Sequence, residues 1–191
     1  MSKKKDSMLK MICVLTITCI VAGVCLSFTY TKTKGAIANA ELAATLISVE
    51  KVLPPFDGKP EEKKVIVGGK EKVYYIGRKD GAVVGIATAS STLGYGGTLN
   101  ILVGVNAKGA ITGIVLLQHQ ETPGLGSKAG GDDFLKQFKG SRLKSRDDTL
   151  RVKQDGGIID AVTAATISSR AVAKAATNTL HLFLKHKDEI L

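Results

Sequence analysis

From Met11 to Tyr30 the chain runs twenty residues without a charge, bracketed by Lys10 and Lys32. At a helical rise of about 1.5 Å per residue the stretch is roughly 30 Å long, the thickness of a bilayer's hydrocarbon core. This fixes one element before any other: a single transmembrane helix. Thr16 and Thr18 lower the hydropathy slightly, and such hydroxyls bond back along a helix. The rival is a cleaved signal peptide, suggested by the small-residue patterns at Ala36, Ala38 and Ala40. The apolar run exceeds the roughly 7–15 residues of a signal's hydrophobic region, which favours an uncleaved anchor. Lys3, Lys4, Lys5 and Lys10 outnumber Lys32 and Lys34 across the span. By the positive-inside rule the N-terminus lies in the cytoplasm and the main domain outside the cytoplasmic (inner) membrane.

Cys13, Cys19 and Cys25 all fall in that apolar run and none follows it, so the rest of the chain has neither a disulfide framework nor a cysteine metal or redox site. Val24 before Cys25 argues against lipidation, leaving the cysteines as apolar membrane residues. The 191 residues leave room for one domain besides the anchor. With no tryptophan, its core must be aliphatic and alanine-rich. Half of the net charge of +10 precedes Gly35. The remainder is diffuse, with no Lys/Arg block interleaved with aromatics, so nucleic-acid binding is not expected.

The domain organisation expected is a cytoplasmic tail (1–10), the anchor (11–30), a juxtamembrane helix and linker (31–58) and an extracytoplasmic domain (59–191). Residues 36–52 have helix-forming composition, with Ile37, Leu42, Leu46, Ile47 and Val49 as an apolar stripe and Pro54-Pro55 as the stop. Strands are expected at 65–67, 73–78, 82–89, 99–105 and 110–118. Turns fall at Lys79-Asp80-Gly81 and across 106–109, with a small-residue loop at 90–97. A short capped helix at 132–138, a polar loop and a brief strand at 158–159 follow. Val172, Ala175, Ala176, Thr179, Leu182 and Phe183 have the spacing of a helix running to about residue 185, with Ser168 or Ser169 as its N-cap. The fold class is α+β, a mainly antiparallel sheet packed by a C-terminal helix and preceded by one N-terminal transmembrane helix. No glycine-rich phosphate loop or dinucleotide fingerprint is present.

Two stretches carry the functional signal. Asp160-Ala161-Val162-Thr163-Ala164-Ala165-Thr166 sets two threonines among alanines too small to shield them, just ahead of the terminal helix, whose start favours an anion. On spacing alone the serines that follow are an ordinary cap. His119-Gln-Glu121-Thr122-Pro123-Gly124-Leu125-Gly126 is on its own only a turn. Together, and in this order, the two resemble the motifs of a flavoprotein family: Asp-x-x-(Ser/Thr)-Gly-Ala-Thr, and His-x-Glu-Thr-Pro-Gly-Leu-Gly. With the N-terminal span, the chain resembles the G subunit of the Rnf ferredoxin:NAD oxidoreductase complex over nearly its whole length. The C subunit of the Na⁺-translocating NADH:quinone reductase shares both motifs, but the compact length, without large insertions, favours the Rnf resemblance. Ala164 stands where the family usually has glycine, and a need for positive φ there would exclude it.

The resemblance implies FMN joined covalently through its phosphate to Thr166 by a separate flavin transferase using FAD and Mg²⁺. Thr163, Ala165, Ser168 and Ser169 would surround the attachment point, and Asp160 would orient the loop. It further implies that Glu121 and Thr122 hydrogen-bond the flavin ring and that Gly124 and Gly126 let backbone approach it. Leu125 would supply apolar contact and His119 would tune a proton-coupled step near neutral pH. Neither catalytic side chains nor a metal site is expected, because the cofactor carries the redox chemistry. The partners implied are the other membrane and iron–sulfur subunits of the complex. A cofactor-free extracytoplasmic binding domain is the alternative from a different class, and flavin colour surviving denaturation separates the two.

Overall fold

The computed structural model describes residues 2–145 and 147–190, which fall into two units divided between Ala44 and Thr45. The expected span lies in the first, within the helix α1 (Ser2–Val52). It is long and apolar enough to cross a membrane. Its apolar side chains, from Met11 and Ile12 through Leu15, Ile20, Leu26 and Phe28, are all exposed, which is the surface of a helix made for lipid rather than for a protein core. The Thr18 hydroxyl donates to the Val14 carbonyl at 2.8 Å and Thr29 to that of Cys25 at 2.9 Å, so these polar groups are satisfied along the helix. The three cysteines are free.

The second unit begins with the last turns of α1. Leu46, Val49, Val52 and Leu53 pack with Tyr75, Ala87 and Leu102 into one cluster, while Ile37, Leu42 and Ile47 of the expected stripe stay exposed. Pro54 and Pro55 follow directly and close the helix, since proline cannot continue the ladder. The helix end sits against two glycines facing each other in register, Gly104 and Gly113. A Cβ on Gly104 would lie 2.3 Å from the Val52 carbonyl oxygen and one on Gly113 3.0 Å from the Val52 Cα. The Thr112 hydroxyl donates to the same carbonyl.

Five strands form an antiparallel meander in chain order: β1 (Glu61–Val67), β2 (Lys70–Lys79), β3 (Ala82–Leu93), β4 (Thr98–Asn106) and β5 (Ile111–Gln118). Asp80 and Gly81 both take positive φ, 51° and 78°, as a two-residue hairpin turn demands. The residues expected in a loop at 90–93 continue β3, paired with β4 from Ser90↔Ile101 to Leu93↔Thr98. The small side chains of Ser90, Ser91 and Thr92 are tolerated because a ladder partner satisfies the backbone. The loop itself shrinks to the four residues 94–97.

Both sheet faces are covered, so β4 is buried along almost its whole length rather than at alternate residues. Leu102 faces the end of α1. Ile101, Val103 and Val105 face α3 (Thr166–Ile190) and pack with Val172, Ala175, Ala176, Leu180 and Phe183. Backbone angles leave the helical region at His186, so the regular helix ends at Lys185. The expected capped helix at 132–138 is α2 (Asp132–Leu135) followed by a 3₁₀ turn (Lys136–Phe138). Its N-cap is Gly131, which offers no side chain, and Asp132 and Asp133 instead place negative charge at its positive end. Phe134 and Phe138 meet edge to face, 5.4 Å between centroids, anchoring the segment to the core. Near the motif, Val152 and Ile159 form an isolated parallel bridge.

Candidate functional site

The two motifs, more than thirty residues apart in sequence, fold into two tight turns at one cavity. In the first, the Leu125 N–H donates to the Thr122 carbonyl at 3.2 Å, with Pro123 and Gly124 between and Gly124 at φ 77°. A type II turn requires the positive φ at its third position, and proline is favoured at its second. In the second, the Ala165 N–H donates to the Val162 carbonyl at 3.0 Å, and the third residue, Ala164, has φ 61°. Sterics permit alanine only reluctantly in this region, which glycine enters freely. The alanine is not excluded; it adopts the strained angle.

Ser169 holds the second turn in place. Its hydroxyl accepts from the Val162 N–H at 3.0 Å and donates to the Ala165 carbonyl at 3.0 Å. Neither Ser168 nor Ser169 is the N-cap: α3 starts earlier, at Thr166, because the side chain of Ser169 reaches back to the turn rather than forward along the helix. The backbone of Asp160 is gripped by Gln137, which accepts from its N–H at 2.8 Å and donates to its carbonyl at 3.1 Å. The Asp160 carboxylate pairs with Lys153 at 2.7 Å.

The cavity between the turns has a volume of about 440 Å³. The loop after β5 contributes Glu121, Thr122, Leu125 and Gly126, the start of α3 contributes Ala164, Ala165, Thr166, Ile167 and Ser168, and the β3–β4 turn contributes Tyr95. Of the expected site residues, Thr163 is exposed and lines a different cavity with Lys128, Asp132, Asp133 and Gln137. His119 is exposed and does not line the 440 Å³ cavity. Gly124 lies outside its lining too, with its N–H donated to the Ser127 hydroxyl at 2.9 Å. Ser169 is buried behind the turn.

Glu121 is the centre of the arrangement. Its side chain is 4 % exposed. Oε1 accepts from the N–H groups of Tyr95 at 2.8 Å and Gly96 at 3.3 Å, and Oε2 accepts from the Ser168 hydroxyl at 2.8 Å. One carboxyl group therefore ties together the β3–β4 turn, its own loop and the start of α3. Two glycines leave room for it. A Cβ on Gly94 would lie 2.0 Å from Oε1, and one on Gly126 2.2 Å from Oε2. The "Gly" of Leu-Gly thus accommodates Glu121, and Glu121 spends its acceptors on protein donors. Tyr95, Gly94 and Gly96 lie outside both motifs; the only sequence signal for them was the glycine density of 94–97.

The chemistry of the lining is divided. The N–H groups of Thr166, Ile167 and Ser168, the first three of α3, have no intrahelical partner, and Thr166 among them is half-buried. Leu125, Ile167 and Tyr95 add apolar and aromatic side chains, all partly or largely exposed. Among the described residues, no lysine or arginine lines the space. A ligand with a phosphate group and a flat, largely apolar body suits this lining, and the volume lies in the range of small-molecule sites. FMN fits both requirements.

Comparison with known proteins agrees. The FMN-binding domain family matches residues 94–181, from the β3–β4 turn to the middle of α3. The G subunit of the ion-translocating oxidoreductase complex of Cereibacter sphaeroides is 33 % identical over 180 residues, covering 90 % of this chain and 82 % of that protein. The G subunit of the Na⁺-translocating ferredoxin:NAD⁺ oxidoreductase complex of Acetobacterium woodii is 32 % identical over 184 residues, covering 89 % and 88 %. Among solved structures, the C subunit of the Na⁺-translocating NADH-quinone reductase of Parabacteroides distasonis shares the fold, with TM-score 0.54, 21 % identity and coverage of 71 % of this chain and 78 % of that one. The α+β architecture, the FMN-binding domain and the Rnf resemblance expected from the sequence are all borne out. The chain belongs to the G-subunit family of ion-translocating oxidoreductase complexes.

Proposed function

We propose that this chain is the membrane-anchored electron carrier of a ferredoxin:NAD-type ion-translocating complex, with FMN esterified through its phosphate to Thr166. The observation that carries the reading is the convergence of both motifs on one cavity, with the Thr166 hydroxyl at the N-terminus of α3. When bound, FMN supplies reversible electron uptake and release. The chain's part is to hold it. The free N–H groups of Thr166, Ile167 and Ser168, and the positive end of the helix that begins there, balance a phosphate charge without a cation. Esterification suits that balance, because a phosphodiester carries one negative charge where a free monoester carries up to two.

Among the described residues, none offers Thr166 a base. Glu121 Oε2 is engaged by Ser168, His119 does not line the cavity, and a threonine hydroxyl without an adjacent base is a poor nucleophile. This supports attachment by a separate flavin transferase. In that step Thr166 Oγ bonds to the FMN-side phosphorus of FAD, the pyrophosphate bond breaks, AMP leaves, and the hydroxyl proton passes to a base on the transferase. Asp160 and Thr163, outside the flavin cavity and beside Gln137, present a surface for it to recognise.

The lysine asymmetry around the span supports a cytoplasmic N-terminus and an extracytoplasmic flavin domain. A reporter active only outside the cytoplasm, fused after Leu191, is expected to be active, and activity of only a cytoplasmic reporter would overturn that orientation. The relay role is tested in membranes holding the assembled complex. A low-potential ferredoxin donor should bleach this protein's flavin absorption, and added NAD⁺ should restore it. Flavin that stays oxidised while NAD⁺ is reduced would remove the chain from the electron path.

A further inference from the structure

One wall of the cavity belongs to neither motif. The β3–β4 turn, Gly94-Tyr95-Gly96-Gly97, is closed by the Gly94 N–H donating to the Gly97 carbonyl at 2.8 Å. Tyr95 is 73 % exposed and lines the cavity with Leu125 and Ile167. An aromatic ring left this open contributes little to the core, and the chain has only four tyrosines and no tryptophan.

The turn is nevertheless held tightly. The N–H groups of Tyr95 and Gly96 both donate to Glu121 Oε1. A Cβ at Gly94 would meet that same oxygen at 2.0 Å, and one at Gly96 would meet the Gln120 carbonyl oxygen at 2.2 Å. Both neighbours of Tyr95 are therefore confined to glycine, and the single large side chain of the turn is delivered to the cavity. An aromatic face with a polar tip suits a site that is apolar inside and wet at its rim.

We propose that Tyr95 is a flavin-contacting residue, its ring lying against the isoalloxazine and shielding it from water, and that Glu121 is the positioning residue that fixes the turn. This rests on the reading of the cavity as the FMN site. Leu93, 76 % exposed on the adjoining strand but outside the cavity lining, is the control.

The full-length chain is coexpressed with a flavin transferase, intact mass gives flavin loading, and emission yield and iodide quenching are compared at equal flavin absorbance. A phenol in contact with a flavin quenches its emission. Tyr95→Ala should load with FMN, emit several-fold more strongly and be quenched several-fold more efficiently by iodide. Tyr95→Phe should gain emission while keeping its protection from iodide, and Leu93→Ala should match the unmutated chain. If loaded Tyr95→Ala is unchanged in both readouts, the assignment of Tyr95 is overturned while the FMN reading stands. If Tyr95→Ala does not load, Tyr95→Phe decides, and unchanged emission in it overturns the proposal. If the unmutated chain gains no FMN mass beside an active transferase, the site reading itself fails.

Discussion

Replacing Ala164 by glycine should make this protein more stable, although glycine ordinarily costs a fold stability. The reason is the φ of 61° at Ala164. A Cβ in the left-handed region costs about 1–2 kcal/mol, which Ala164→Gly removes. Against this stands the added freedom of glycine in the unfolded chain, about 0.4–1 kcal/mol. The difference leaves roughly 0.7 kcal/mol of net stabilisation, which for a chain of this size raises Tm by about 2 °C. Ala107, in the β4–β5 turn, is not among the positive-φ residues and serves as the opposite case. Ala107→Gly relieves no strain and should lose about 0.4–1 kcal/mol. The assay is urea unfolding of the detergent-solubilised protein, followed by near-ultraviolet dichroism of the tyrosines, because Tyr74 and Tyr75 are buried in the sheet and α1 would dominate a far-ultraviolet signal. The midpoints should move in opposite directions with unchanged slopes. If both variants lose stability equally, the strain at Ala164 is not real and the type II turn is misassigned.

Two further perturbations separate roles within the site. Gly126→Ala drives a Cβ to 2.2 Å from Glu121 Oε2 and 2.9 Å from the Ser168 hydroxyl, and should cost about 1–3 kcal/mol, as overpacking does. Gly124→Ala meets nothing within 4 Å and should cost only about 1–2 kcal/mol of backbone strain at φ 77°, with a milder effect on the flavin spectrum; equal spectra in the two variants would deny Glu121 its central place. At low pH, the Arg170 guanidinium, bonded to Asp155 through Nε and NH2 at 2.7 Å each, holds the Asp155 carboxyl below the usual carboxylate range. A depressed pKa gives stability that is present above the ordinary aspartate value and is lost as pH falls through the depressed one. Acid unfolding of Asp155→Asn should therefore lack that component of the pH dependence, and parallel curves for variant and parent would refute the linkage.

The sheet and the terminal helix were legible because their signals are local. The Asp80-Gly81 turn, the β4 run and the alanine face of α3 each follow from neighbours in sequence. The errors came from long-range partners. Residues 90–93 read as a loop because serine and threonine have small polar side chains, yet β4 was already there to pair with them. Ser168 and Ser169 read as caps, whereas one bonds Glu121, 47 residues away, and the other reaches back to Val162. Only the glycine density marked 94–97: the turn is held by Glu121, and no spacing within it reveals that partner. Motif similarity located the cavity, but only the folded geometry shows that Glu121 and Gly126 serve each other.

On the proposed reading Thr166, and not Thr163, carries the flavin. Thr166 lines the cavity at the start of α3 and Thr163 lines a different one, although only three positions separate them. Intact mass and in-gel flavin fluorescence of the full-length chain, coexpressed with a flavin transferase, measure this directly. Thr166→Ala should lose the FMN mass completely while remaining folded. Thr163→Ala should retain the linkage, with loading at most reduced through weaker transferase recognition. FMN mass on Thr166→Ala together with its absence from Thr163→Ala would contradict the account.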